Sequence, residues 1–113
     1  MGTTLFYRKD NLMIKHIVWF TLKEEAEGAS AAENAVKTVA MLRDLEGKIP
    51  SLKTLDVSME FASTTTEDVQ VILLSTHDDE AGLADYANHP LHVECVGFIK
   101  KVISGRKAID FVV

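Results

Sequence analysis

Residues 85–94 read Asp-Tyr-Ala-Asn-His-Pro-Leu-His-Val-Glu, or DYANHPLHVE. Pro90 lies in the middle of this stretch, where its ring and its missing N–H prevent a helix from continuing through it. The same residue suits the first position of a new helix, because an N–H at that position has no helical partner. The stretch therefore predicts a short helix that runs through Tyr86 and a second helix from Leu91 to about Ile103.

Strand and helix patterns on both sides of this helix pair predict the order β-α-β-β-α-β. Ser30 and Glu33 have the spacing of a capping box, which begins a helix that Gly47 and Pro50 end. The predicted strands are residues 14–23, 54–61, 69–76 and the closing AIDFVV. This order is that of an α+β, ferredoxin-like fold, with a four-stranded antiparallel sheet and its helices on one face.

The first and third strands carry apolar residues on both faces, although the helices of such a fold cover one face only. Each large apolar side chain left in water forgoes about 1.5–3 kcal/mol of burial. A second copy of the chain would cover the open face. The pattern therefore predicts a homodimer in which two sheets pack face to face and enclose a barrel-like core.

Composition limits the classes of partner. The chain has 113 residues and a net charge of −5, which argues against a nucleic-acid groove or an anionic membrane surface.

Residues 13–113 form the predicted domain, after an N-terminal extension at residues 1–12. The lone Cys95 and the lack of a long apolar run favour a cytoplasmic location. No nucleotide loop, phosphate cradle or cysteine-rich metal framework is seen, so no cofactor is predicted.

Three segments carry a resemblance to a known family: MIKHIVWFTLK at residues 13–23, DYANHPLHVE at residues 85–94, and the closing AIDFVV. Together they resemble the stress-responsive dimeric α/β-barrel (Dabb) family, which includes plant proteins of the olivetolic acid cyclase type. The resemblance implies a ferredoxin-like protomer and a homodimer. In plant polyketide cyclases of this family the motif tyrosine and the second histidine are the acid–base pair. These positions correspond to Tyr86 and His92, with His16 as a further pocket residue. Where such a cyclase has a histidine in the third strand, this chain has Gln70.

The same residues predict a ligand pocket. His16, Val18 and Phe20 lie on one face of the first strand, and Gln70 and Ile72 of the third strand are expected on the same side of the sheet. An apolar pocket with a few polar groups at one end is a common form of small-ligand site. We therefore expect a small hydrophobic or aromatic ligand to bind there.

The chemistry of this pocket would suit proton transfer. A neutral imidazole such as that of His92 accepts a proton near pH 7, and the hydroxyl of Tyr86 can donate a hydrogen bond to a developing enolate. This hypothesis predicts cyclase-like or isomerase-like chemistry on a carbonyl or polyketide-like compound. Two other classes stay open: a cofactor-free oxygenase, and a dimer that binds a metabolite or another protein without catalysis.

A purely structural interpretation is also open. His89 would cap the second helix of the pair, His92 would bond to the neighbouring backbone, and Tyr86 would pack in the core. His89 and His92 also have a spacing that suits metal ligands, but Pro90 between them and the lack of a clear third ligand argue against a metal site.

Three further residues receive structural predictions. We expect Cys95 to be a buried, unreactive side chain, because its neighbours are apolar. His77 begins an acidic cluster and is predicted to be a solvated surface residue. Trp19, on the strand face opposite His16, is predicted to pack beneath the helices.

Overall fold

A computed structural model describes residues 13–113. The predicted extension at residues 1–12 lies outside the described residues. The elements, in chain order, are β1 (Ile14–Leu22), β2 (Glu25–Ala26), β3 (Ala29–Ser30), α1 (Ala31–Arg43), β4 (Thr54–Ser58), β5 (Val71–His77), α2 (Glu80–Asn88), α3 (Pro90–Val102) and β6 (Ile103–Val112).

The main sheet has four strands in the order β4-β5-β1-β6, and every neighbouring pair is antiparallel. This confirms the predicted ferredoxin-like α+β fold. β2 and β3 form a separate small hairpin between β1 and α1. Glu27 and Gly28 at its tip both have positive φ angles of 50° and 73°, as a tight two-residue hairpin turn requires.

The first helix begins as its sequence predicts. The Ser30 side chain accepts a hydrogen bond from the Glu33 backbone N–H, and the Glu33 carboxylate accepts one from the Ser30 N–H. Along the helix, Val39 and Leu42 are buried against the sheet. The capping box therefore positions the amphipathic face over the core.

The helix pair at residues 80–102 is also confirmed. α2 ends at Asn88, and Pro90 is the first residue of α3. Between them, His89 is the N-cap, because its Nδ1 accepts a hydrogen bond from the Leu91 backbone N–H at 3.1 Å. The cap and the proline together explain why one helix stops and the next begins within two residues.

β4 and β6 differ most in length from their predictions. β4 ends at Ser58, and Met59 and Phe61 beyond it are exposed in the connection to β5. β6 begins at Ile103, directly after α3, and is longer than the AIDFVV segment that predicted it. The early start of β6 places it antiparallel to the whole of β1.

The helices cover the face of β1 that carries His16, Val18 and Phe20, all of which are buried. Trp19 lies on the opposite, open face and is half-buried, so the prediction that it packs beneath the helices is wrong. Alternate residues of a strand point to opposite faces of the sheet, and the helices pack on the face that carries His16.

Candidate functional site

A cavity of about 470 Å³ lies between the covered face of the sheet and the helices α2 and α3. This volume falls within the range of about 300–1,000 Å³ that is typical of small-ligand sites. Its apolar walls include Val18, Phe20, Leu42, Leu73, Val96 and Ile99. Of the predicted ligand-binding residues, His16, Val18 and Phe20 line it, and Tyr86 and His92 line it as well.

The predicted placement of Gln70 and Ile72 beside this cavity is wrong. In the pairing of β1 with β5, Val18 lies opposite Leu73 and Phe20 lies opposite Val71. Side chains that face one another across an antiparallel pair share a face, so Ile72 lies on the open face of the sheet. The side-chain amide of Gln70 instead accepts a hydrogen bond from the Leu22 backbone N–H at 2.8 Å.

His92 has the tautomer that a general base needs. Its Nδ1 lies 2.9 Å from the carbonyl oxygen of Ala87, and since a carbonyl oxygen only accepts, Nδ1 carries the proton. In the neutral ring, Nε2 then has a free lone pair. Burial lowers the pKa of His92, the hydrogen bond to the Ala87 carbonyl opposes this, and the positive charge of Arg106 lowers the pKa further. The imidazole is therefore neutral at pH 7.

Tyr86 packs against His92, with the two ring centroids 4.4 Å apart. The tyrosine is 1% exposed, and burial raises the pKa of its hydroxyl. Within residues 13–113, the hydroxyl has no hydrogen-bond partner. A phenol that stays protonated through neutral pH and lines a cavity is a hydrogen-bond donor for a ligand.

His16 and Asp110 form a second polar pair in the cavity. The two residues lie opposite each other in the β1–β6 pairing, and the His16 Nδ1 is hydrogen-bonded to the Asp110 carboxylate. Sequence reasoning did not name Asp110 as a site residue. The available signal was its position between two apolar residues of the closing strand, which placed it on the face opposite theirs.

His77 is also part of this side of the molecule, and the prediction that it is a surface residue is wrong. It is the last residue of β5 and is 0% exposed, with its ring centroid 4.9 Å from that of Tyr86. Its Nδ1 donates to the Ser51 carbonyl oxygen at 2.8 Å, and its Nε2 accepts from the Ser75 hydroxyl at 2.9 Å. Burial lowers the pKa of His77. The neutral His77 ring thus packs against the ring of Tyr86.

The structure separates the two histidines of the HPLH segment. His89 accepts a hydrogen bond at the start of α3, whereas His92 donates one to Ala87, as the structural interpretation predicted for both. In the part of the chain that the structure describes, no three His, Cys, Asp or Glu side chains cluster as metal ligands would. Cys95 is buried as predicted, and burial raises the pKa of its thiol.

A family model described as the stress-responsive A/B barrel domain matches residues 14–113. The chain belongs to this family. No curated protein shows significant sequence similarity to it. None of the helices at residues 13–113 is both long and apolar enough to cross a bilayer.

Solved structures share the fold of this stress-responsive A/B barrel domain. A dimeric ferredoxin-like protein of unknown function from Bacteroides fragilis is 23% identical, with a TM-score of 0.73 over 89% of this chain and 96% of the other. A similar dimeric protein from Thermobifida fusca is 20% identical, with a TM-score of 0.77 over 91% and 92%. The hydroxynitrile lyase of Passiflora edulis is 12% identical, with a TM-score of 0.75 over 91% and 94%.

Proposed function

We propose that this chain is a homodimer that binds a small organic carbonyl compound in the cavity and catalyses proton transfer on it. The observation that carries the proposal is the pairing of Tyr86 and His92 at the cavity wall. One ring is a buried phenol without a partner among the described residues, and the other is a neutral imidazole with a free Nε2. The two groups have the opposite proton states that acid–base catalysis requires.

In this mechanism, the Nε2 of His92 removes a proton from the carbon next to the substrate carbonyl. The electron pair of that C–H bond forms the carbon–carbon double bond of an enolate, and the π electrons of the carbonyl move onto its oxygen. The Tyr86 hydroxyl donates a hydrogen bond to this oxygen, on which negative charge develops. The proton on His92 then exchanges with solvent, and delivery of the solvent proton to the same carbon completes a hydrogen exchange. Delivery of a proton to another carbon completes an isomerisation. The apolar walls lower the local polarity around the two groups, which strengthens both interactions.

The open face of the sheet supports the proposed homodimer. It carries Ile17 and Trp19 of β1, with Ile109 and Phe111 on the neighbouring β6, and Ile109 and Phe111 are 53% and 39% exposed in the single chain. A contiguous apolar patch of this kind usually marks an interface. The structural neighbours from Bacteroides fragilis and Thermobifida fusca are described as dimeric, which supports the same arrangement here.

A direct test uses propiophenone, a small aryl ketone, in D₂O. We expect the protein to exchange the protons next to the carbonyl for deuterium, which proton NMR measures. Tyr86→Phe and His92→Ala each remove one of the two groups and should lower the exchange rate by about 10²–10⁴-fold. The matched control is His89→Ala, which removes a nearby histidine that caps a helix and does not line the cavity.

Exchange that is equally fast in the parent, Tyr86→Phe and His92→Ala proteins would contradict the acid–base assignment. If the parent protein binds propiophenone without exchanging its protons, the result would instead favour a dimer that binds a metabolite without catalysis.

A further inference from the structure

Two basic side chains line the cavity together with the groups described above. Lys100 comes from α3 and Arg106 from β6. Arg106 lies opposite Phe20 in the β1–β6 pairing, which puts it on the covered face. The net charge of the chain is −5, so these two positive charges at the cavity are opposite in sign to the charge of the protein as a whole.

The two cations lie at the opposite end of the cavity from Tyr86. α3 is followed directly by β6, so the chain reverses at Ile103 and brings the end of the helix beside the start of the strand. Along α3, Lys100 is about 12 Å beyond His92 at the helical rise per residue. Along β6, Arg106 is about 13 Å before Asp110 at the rise of a strand. The cavity thus has a polar end with the histidines and a cationic end.

Neither cation is neutralised by the protein. In the described range 13–113, no carboxylate lies within ion-pair distance of Lys100 or Arg106, whereas the adjacent Lys107 pairs with Glu67 at 3.8 Å. Asp110, the acidic residue of the cavity, is bound to His16 instead. The repulsion that Arg106 exerts on protonated His92 agrees with a positive charge directed along the cavity.

We infer that the ligand of this cavity is an organic carboxylate with an apolar body, whose carboxylate binds Lys100 and Arg106 while its carbonyl lies at Tyr86 and His92. This inference rests on the proposed function, because it assigns the substrate class of the same cavity. An arginine guanidinium and a lysine ammonium together give the charge-assisted hydrogen bonds that a carboxylate accepts. The apolar walls between the two ends match an aliphatic or aromatic linker.

The test compares two ligands of nearly the same size and shape, one with a charged end group and one with a neutral end group. The probe is 6-oxo-6-phenylhexanoate, which has an aryl ketone at one end and a carboxylate at the other, and its reference is the neutral 6-oxo-6-phenylhexanamide. Calorimetric titration of the full chain should show that the carboxylate binds about tenfold more tightly than the amide, since hydrogen bonds to charged groups are the stronger kind. Raising the salt concentration should reduce this preference, because both cations are exposed.

Two double variants test whether Lys100 and Arg106 cause the preference for the carboxylate over the amide. Lys100→Gln with Arg106→Gln removes both cavity cations and should abolish the preference for the carboxylate, with the affinity for the amide unchanged. The control is Lys101→Gln with Lys107→Gln, which removes the same charge from the adjacent residues of α3 and β6. Neither Lys101 nor Lys107 lines the cavity, so this pair should keep the preference.

Three outcomes are informative. If the Lys100/Arg106 variant keeps the preference, or if the control variant loses it equally, the carboxylate inference is wrong and the proposed acid–base function is unaffected. If the amide binds as tightly as the carboxylate to the parent protein, the inference is also wrong. If neither compound nor propiophenone binds, the cavity is not a ligand site, and the proposed function fails together with the inference.

Discussion

The two faces of β1 both carry apolar residues, but these residues have different neighbours on each face. On the covered face, Val18 and Phe20 border a cavity whose polar side chains come from four different elements, namely β1, α2, α3 and β6. On the open face, Ile17 and Trp19 lie beside the exposed Ile109 of β6. Apolar residues on both sides of one strand therefore serve two purposes. The covered face borders the cavity of the proposed ligand site, and the open face has the composition of an assembly surface.

The largest expected effect comes from a charge on the open face. In the proposed dimer, Ile109→Glu buries an unpaired carboxylate at the interface, at a cost of about 3 kcal/mol or more. This corresponds to a dimer that is weaker by at least about a hundredfold. Analytical ultracentrifugation at micromolar concentration should show a monomer. Trp19 is the single tryptophan, and its fluorescence should shift to longer wavelength as the open face meets water.

Val36→Glu is the matched control for this experiment. Val36 lies on α1, away from the sheet, and is 54% exposed, nearly the same as Ile109 at 53%. The control protein should stay dimeric. A dimer that survives Ile109→Glu, or one that Val36→Glu breaks, would place the interface elsewhere and remove the distinction between the two faces.

The next effect concerns the polar groups of the covered face. His77→Ala removes a buried ring and leaves both the Ser51 carbonyl and the Ser75 hydroxyl without that partner. We expect the free energy of unfolding to fall by about 3 kcal/mol, from the unpaired groups and the cavity together. His89→Ala loses one cap and should cost about 1 kcal/mol. Urea unfolding measures both, and equal losses would show that His77 is not a buried structural group.

Much of the fold follows from local signals in the sequence. The capping box at Ser30, the break at Pro90 and the alternation along β1 each depend on residues close in the chain, where turn chemistry and periodicity decide the conformation. Tyr86 and His92 were predicted from the resemblance to the stress-responsive α/β-barrel family, and the helix break at Pro90 is the local feature that lets both side chains turn toward the same space. The stretches DYANHPLHVE and MIKHIVWFTLK contain every predicted site residue that lines the cavity.

The wrong predictions for Ile72 and His77 arose because a shift of one residue in strand register changes which face of the sheet a side chain lies on. Ile72 and Leu73 are both apolar, and the sequence alone does not state which one lies opposite Val18 in the sheet. The same uncertainty hid His77, because β5 extends one residue beyond the predicted strand at residues 69–76 and turns that histidine inward. The cationic end of the cavity depends on two elements that meet only after the chain has folded, so no local pattern identified Lys100 and Arg106.

The dependence of stability on pH also belongs to the covered face. Burial lowers the pKa of both His77 and His92 in the folded chain, whereas the unfolded chain has the ordinary histidine pKa of about 6.5. The unfolded state therefore takes up protons first as the pH falls below that value. The contribution of the two neutral histidines to the free energy of unfolding is fully present above about pH 6.5. Below that pH the free energy of unfolding decreases, by up to about 1.4 kcal/mol per pH unit for each histidine. Urea unfolding between pH 7 and pH 5 should show this slope, and His77→Gln should reduce it by the share of one histidine. An unchanged slope in His77→Gln would mean that the burial of His77 does not set the acid sensitivity of the covered face.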